Sequence, residues 1–290
     1  MATQTFQTVL YDVQDQIATL TFNRPDNQNT LNPTMTEEIL KILDMVDADD
    51  NVKALIITGA GRFFCAGADL SRGTTTFDYA KRADTPKNTG VHRDRGGLIT
   101  LRLFDCLKPV IGAINGAAVG FGATVLLPMD LRLASTTSKF GYVFTRRGIT
   151  LESAGAWFLP RVVPLQTAME WSLTGRLIPV EEAHKAGLVR SVHPPEELMP
   201  AARALAHEII DNAAPVSVTL TRHMLWRMLS ADHPMEAHQI DSRAVNARGA
   251  QADAKEGVAS FLEKRKPNFT NTVSKDMPDF FPWWQPRTFK

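Results

Sequence analysis

Two stretches of this chain repeat one plan, and few folds accommodate both. In the first, the apolar run Ala54-Leu55-Ile56-Ile57-Thr58 stops at Gly59-Ala60-Gly61 and passes through Phe63-Phe64-Cys65. It then reaches a second small-residue turn, Ala66-Gly67-Ala68, with a helix start expected at Asp69. In the second, Pro109 to Ile114 runs into Asn115-Gly116-Ala117-Ala118-Val119-Gly120-Phe121-Gly122-Ala123, where small residues again open a helix. Each stretch reads as a strand, a loop and a helix N-terminus. The first N–H groups of a helix lack intrahelical partners and sit at the positive end of its dipole, so such a junction can hold an anion. Two junctions brought together could hold one oxygen.

The rest of the chain supplies elements of the same kind. Val9-Leu10-Tyr11 and Ile17 to Phe22 read as strands around a polar turn at Asp12 to Gln16, and Met35, Ile39, Ile42, Leu43 and Val46 give Pro33 to Asp47 an amphipathic helical spacing. Strand, helix, strand in this order argues for crossover connections rather than hairpins. Ser71 to Gly97 is polar and nearly empty of aliphatics, as a loop over a pocket or a solvated insertion would be, and a packing helix returns over Leu98 to Leu107. Pro128 should end or kink the helix from Gly120 near Leu127, with Asp130 to Ala134 a short strand after it. Glu181 to Ala186, stopped by Gly187, reads as a helix before a last strand at Leu188 to Val192. Helical spacing then fills Glu197 to Asn212, Val216 to Leu229, Glu236 to Arg248 and Ala252 to Lys264. The aromatic tail containing Phe280-Phe281-Pro282-Trp283-Trp284 is expected to pack on its own or a neighbouring subunit.

Charge and motif spacing exclude several classes. The 32 basic and 31 acidic residues nearly cancel, which removes a whole-molecule electrostatic case for nucleic acid or membrane. No apolar run is long enough to span a bilayer and no targeting pattern opens the chain, so a cytoplasmic protein is expected. Cys65 and Cys106 read as packing residues in a reducing compartment. The histidines lack a metal-ligand spacing, and no metal site is indicated. There is no Gly-x-Ser-x-Gly elbow. Gly59-Ala60-Gly61 fails as a dinucleotide loop, because its third glycine comes late and Phe63-Phe64 is bulky where a pyrophosphate must approach. Asp69 and Asp130 read as capping or pairing acids.

Taken in order, Asn23-Arg24-Pro25 with Asn29-Thr30-Leu31, Phe64-Cys65-Ala66-Gly67-Ala68-Asp69-Leu70, Ala113-Ile114-Asn115-Gly116 with Gly120 and Gly122, and the ending Glu256 to Lys266 resemble the crotonase (enoyl-CoA hydratase/isomerase) superfamily. The resemblance implies an α/β fold. Its crotonase-like spiral of ββα repeats, over residues 1–195, would carry the CoA and acyl site, residues 196–266 a helical trimerisation region, and 267–290 an aromatic extension. It implies an acyl-CoA thioester as substrate, with coenzyme A part of that substrate, no permanently bound cofactor, and a homotrimer or homohexamer. The N–H groups of Ala68 and Phe121 would polarise the thioester carbonyl; Phe121 stands where many members have Gly, and its N–H is available provided the position does not need positive φ. The CoA adenine would lie along Ala66, Ala68, Asp69 and Leu70, with Phe261 and Lys264 near the 3′-phosphate, commonly from a neighbouring subunit. An RNA-binding relative carries a basic helix, but the matching helix here holds Glu37, Glu38, Asp44 and Asp47, so no nucleic acid is expected.

Hydratases of that family use two glutamates. Their positions are Thr124 and Phe144 here, and neither side chain can take a proton. Glu152 instead occupies the place, ahead of Leu159-Pro160, where family isomerases and related dehalogenases carry a single acid. Enclosed by Trp157, Phe158, Phe144 and the acyl chain, it would be desolvated and strengthened as a base; the plainer role is a helix-start glutamate facing the dipole. Double-bond isomerisation ranks first on this reading. Hydration or a related hydrolysis, and acyl-CoA binding without catalysis, are the alternatives.

Overall fold

A computed structural model of the chain describes residues 5–79 and 91–289. β1 (Val9–Gln14) and β2 (Ile17–Phe22) pair antiparallel through a tighter turn than the sequence suggests, with Asp15 and Gln16 both left-handed. α1 (Pro33–Ala48) follows, capped by Asn32, whose side-chain oxygen accepts from the Met35 N–H at 2.8 Å.

The same plan then repeats. β3 (Ala54–Gly59), β4 (Phe63–Cys65) and α2 (Arg95–Phe104) make one turn. β5 (Val110–Ile114), β6 (Ala117–Val119) and α3 (Phe121–Thr124) make the next. β7 (Leu131–Ser135), β8 (Lys139–Gly141) and α4 (Gly155–Val162) complete another. Beyond them come α5 (Leu165–Thr174), β9 (Leu177–Pro179), α6 (Val180–Lys185), β10 (Ser191–His193) and α7 (Pro195–Ile210). α8 (Pro215–Met228), α9 (Pro234–Gly249) and α10 (Ala252–Glu263) close the chain. The first strand of each turn joins a sheet ordered β1-β2-β3-β5-β7-β10, parallel from β2 onward; the second joins a smaller sheet ordered β4-β6-β8-β9. This is a ββα spiral, the architecture expected from the sequence.

β3 and β5 read as unbroken apolar runs because both faces of the larger sheet are covered. Ala54, Ile56, Ile111 and Ala113 face Leu198, Ala202, Ala206 and Ile210 of α7, while the alternate residues Leu55, Ile57, Val110 and Ile114 join the main core. α7 thus packs on the spiral's own sheet. Asp130 is structural, as expected: it accepts from the Val110 N–H at 2.7 Å, Arg222 Nε at 2.8 Å and Trp226 Nε1 at 2.7 Å.

Two local expectations are corrected. No helix starts at Asp69: its N–H donates to the Leu31 carbonyl at 3.0 Å in a bridge between Leu31 and Ala68, and its side chain is held by Arg24 at 2.8 Å. With its backbone committed to Leu31, the segment cannot wind. The helix after Gly120 ends sooner than Leu127, because the Leu127 N–H bonds the Thr124 carbonyl and the Met129 N–H the Leu126 carbonyl in tightened turns around Pro128. Both cysteines are buried and free, as expected. The tail packs on its own chain, with Phe281 and Trp284 against His223 of α8, Phe280 under Arg243 of α9, and Phe289 under Arg93.

Candidate active site

Parallel pairing of β4 with β6 brings the two small-residue turns against each other. Gly67, at φ 107°, packs so closely that a Cβ would lie 3.0 Å from the Val119 carbonyl oxygen, and one on Gly122 would lie 2.0 Å from that of Cys65. Two asparagines pin the first turn. Asn115 accepts from the Gly59 N–H at 3.1 Å and donates to the Gly61 carbonyl at 2.8 Å; Asn29 donates to the carbonyls of Ala60 at 2.9 Å and Phe63 at 2.7 Å.

The result is a pair of uncommitted donors. The bridge at Ala68 uses the N–H groups of Leu31 and Asp69, and Phe121 opens α3, so neither the Ala68 nor the Phe121 N–H donates to a backbone acceptor among the described residues. Gly120, at φ 57°, takes the positive φ of this turn, and Phe121 is helical. Both residues line one cleft, together with Leu31, Pro33, Asp69, Arg72, Thr76, Tyr79, Asp94, Arg95, Gly96 and Glu152. The polar segment expected over a pocket therefore contributes at both of its described ends; residues 80–90 lie outside the described residues.

Glu152 reaches this cleft from the turn before α4. Ser153 and Ala154, at φ 60° and 55°, are both left-handed, a conformation that costs about 1 kcal/mol or more per non-glycine residue. Its carboxyl pKa is pushed up to about 8, first by burial and then by the charge and hydrogen bond of Asp94. None of Trp157, Phe158 and Phe144, the rings expected around Glu152, lines the cleft. Phe158 packs edge-on against Trp157, Phe104 and Trp226, and Trp157 edge-on against Phe104, at centroid distances of 4.8 to 5.8 Å.

Asp94 escaped the sequence reading. It caps α2, accepting from Gly96 N and Gly97 N at 2.9 Å each, and it also accepts from the N–H of Ser153 at 2.6 Å. Its signal was an Asp directly before Arg95-Gly96-Gly97 and an apolar helical run, an ordinary cap pattern. Gly96 admits this approach: a Cβ there would lie 2.1 Å from Ser153 Oγ and 2.9 Å from the Phe121 ring.

The other sequence candidates divide. Asp69 lines the cleft, but its carboxyl is engaged: burial alone would raise its pKa, and the hydrogen bonds from Arg24 and Ser71 outweigh that and hold it below the usual range. Ala66 spends its N–H on the Gln28 carbonyl, and Leu70 is exposed. Phe261 lies exposed on α10, Lys264 caps that helix in a left-handed conformation, and neither lines the cleft. Thr124 is buried, its hydroxyl donating to the carbonyls of Gly120 and Phe121. Among the described residues no group of His, Cys, Asp and Glu could hold a metal ion, and no helix is long and apolar enough to cross a membrane.

The enoyl-CoA hydratase/isomerase family model matches residues 12–272. The chain belongs to this family. It is 39% identical over 260 residues to the enoyl-CoA hydratase ACTT3 of Alternaria alternata, covering 89% of this chain and 84% of that one. It is 34% identical to the 1,2-epoxyphenylacetyl-CoA isomerase of Escherichia coli, covering 90% of this chain and 98% of the relative. Among solved structures, the enoyl-CoA hydratase of Mycobacterium tuberculosis H37Rv superposes with a TM-score of 0.80 at 32% identity, over 91% of this chain and 99% of that one. The chain is thus an acyl-CoA enzyme of the hydratase/isomerase family, on a crotonase fold.

Proposed function

We propose that this family member shifts a carbon–carbon double bond of an enoyl-CoA, with Glu152 as the single proton carrier. The observation that supports this is one carboxyl group, raised to about 8, in the same cleft as the two uncommitted N–H groups. Ionised Glu152 takes a proton from C2 of a 3-enoyl thioester. The electron pair left behind moves onto the thioester oxygen, making a dienolate. The N–H groups of Ala68 and Phe121 hold that oxygen; one such donor is typically worth about 3 kcal/mol of the barrier. Glu152 then returns its proton to C4, the carbonyl re-forms, and the double bond lies between C2 and C3. Nothing is gained or lost.

The coenzyme A part of the substrate runs along Ala66, Ala68, Asp69 and Leu70, with Phe261 and Lys264 supplied by a neighbouring subunit of a homotrimer or homohexamer. Val258, Phe261 and Leu262 support that assembly, being 62%, 81% and 72% exposed on α10 in the single chain. Hydration is the second reading: Asp94 brings a second acid into the cleft, as water addition requires, and ACTT3 carries a hydratase name.

Turnover of matched 3-enoyl-CoA and 2-enoyl-CoA substrates, followed by mass and double-bond position, separates the two. Migration without mass gain, reduced about 10²- to 10⁴-fold in Glu152→Gln, is expected. Addition of one water that survives in Glu152→Gln would overturn the assignment. Tight binding with no change in either substrate would point to a non-catalytic homologue. Because the base form appears as Glu152 ionises, kcat/KM for migration should climb with pH towards a plateau above about 8.

A further inference from the structure

Asp94 does more than a helix cap needs to do. A cap is satisfied by the N–H groups of the first turn, here Gly96 and Gly97. The shortest of its backbone bonds, at 2.6 Å, goes instead to Ser153, the residue after Glu152 and far away in sequence. That bond reaches the segment where the left-handed pair Ser153 and Ala154 turns the chain into α4, and such a turn persists only when its surroundings over-determine it. Gly96 lets α2 come this close, since any side chain there would strike Ser153 Oγ. Both carboxyl groups line the same cleft, and the charge of Asp94 acts on Glu152, raising its carboxyl pKa beyond what burial does.

We propose that Asp94 is the positioning residue for Glu152: its carboxylate fixes the start of α2, ties down the Ser153 amide and faces the Glu152 carboxyl, so that the two acids act as a unit. The proposal rests on Glu152 being the proton carrier. Site assembly follows directly, because the element that closes the cleft, α2, is locked to the turn that presents the reactive acid. The proton follows too. Asp94 is met by three backbone N–H groups, and burial together with the Asp94 charge pushes the Glu152 carboxyl up to about 8, so Glu152 holds a proton near neutral pH. The resting site is an acid, and becomes a base as pH rises.

The other charged groups around Glu152 do not replace Asp94 in this role. Asp69 is neutralised by Arg24. Cys65 of β4, pushed up to about 12 by burial, is a neutral thiol at working pH. Arg72 and Arg95 also line the cleft, but they carry the opposite charge and cannot raise the Glu152 carboxyl as Asp94 does.

The test is the pH dependence of kcat/KM for the wild-type enzyme, Asp94→Asn and Asp94→Ser, the last retaining a good helix cap without charge. If Asp94 positions and charges the pair, the ascending limb moves towards acid by about one unit or more in both variants. Well below the limb, kcat/KM relative to each enzyme's own plateau then rises about tenfold, with KM little changed. Variants that lose thermal stability and leave the limb in place would show a cap only, and overturn the proposal. A turnover-free measurement separates this from failure of the isomerase reading: the pH-dependent stability difference between the wild type and Glu152→Gln should shrink when Asp94→Asn is also present. If no enoyl-CoA is turned over and the difference still shrinks, the pairing stands and the reaction assignment falls; an unchanged difference sinks the pairing whatever the activity.

Discussion

Between pH 4.5 and about 8 the unfolded chain releases a proton from Glu152 that the folded chain keeps. A folded state that binds more protons than the unfolded one loses stability as pH rises. At about 1.4 kcal/mol per pH unit the full window is worth several kcal/mol, and partial exposure of the half-buried side chain reduces it. Glu152→Gln removes the titration. Urea unfolding should find the variant equal to the wild type near pH ~4 and more stable by about 2–3 kcal/mol near pH ~9. A constant difference across that range would mean that the Glu152 carboxyl is not perturbed in the fold. The same residue shows what a sequence can disclose. Glu152 stood out because the two usual acids are missing and it precedes Leu159-Pro160, but its partner did not. Asp94 and Glu152 meet only after α2 and α4 are placed, and a lone Asp before two glycines has an adequate local explanation as a cap.

At the scale of elements, the cleft depends on how closely β4, β6 and α3 approach. A Cβ on Gly122 would lie 2.0 Å from the backbone oxygen of Cys65, and a backbone atom cannot swing aside as a side-chain tip can. Gly122→Ala should therefore push α3 away from the first turn and separate the Ala68 and Phe121 N–H groups. A loss of kcat of about 10²- to 10³-fold is expected, the range for losing one oxyanion donor. Gly249→Ala serves as control, since nothing lies within 4 Å of a Cβ there, and it should leave kcat unchanged. Equal activity of Gly122→Ala and the wild type would show that this approach does not set the donors. β3 and β5 were legible as continuous apolar runs because helices cover both faces of their sheet. β4, β6 and β8 have three residues each, too few for any periodicity to register. The helix expected at Asp69 failed for a related reason: the competing partner, the Leu31 carbonyl, is supplied by a distant loop.

Across the whole molecule, the tail beyond the family match ties remote parts together. Trp284 lies 3.8 Å from Arg227, which lies 4.3 Å from Phe104 at the end of α2, while Phe289 sits 5.0 Å from Arg93, just before α2 begins. The tail thus touches the residue just before the Asp94 cap and reaches the far end of α2 through Arg227. Beneath it, Phe281 and Trp284 pack on His223, whose centroid distances to them are 5.3 and 5.1 Å and whose ring nitrogens have no hydrogen-bond partner among the described residues. The imidazole pKa is lowered to about 3, first by burial and then by the charges of Arg222 and Arg227. Here the folded chain binds fewer protons than the unfolded one between about 3 and 6.5, so tail docking strengthens as pH rises through that window. Removing residues 278–290 exposes His223 and frees it to take a proton. The truncated chain should unfold more easily than the full chain, and the deficit should be larger near pH ~7.5 than near pH ~5 by about 1–3 kcal/mol, read by urea unfolding at both values. In a His223→Phe background the ring is still covered but cannot titrate, so the deficit should become independent of pH. If truncation costs the same at both pH values in the unsubstituted chain, the buried histidine does not hold the tail. If it costs nothing, the aromatic contacts are incidental and α2 keeps its place without them.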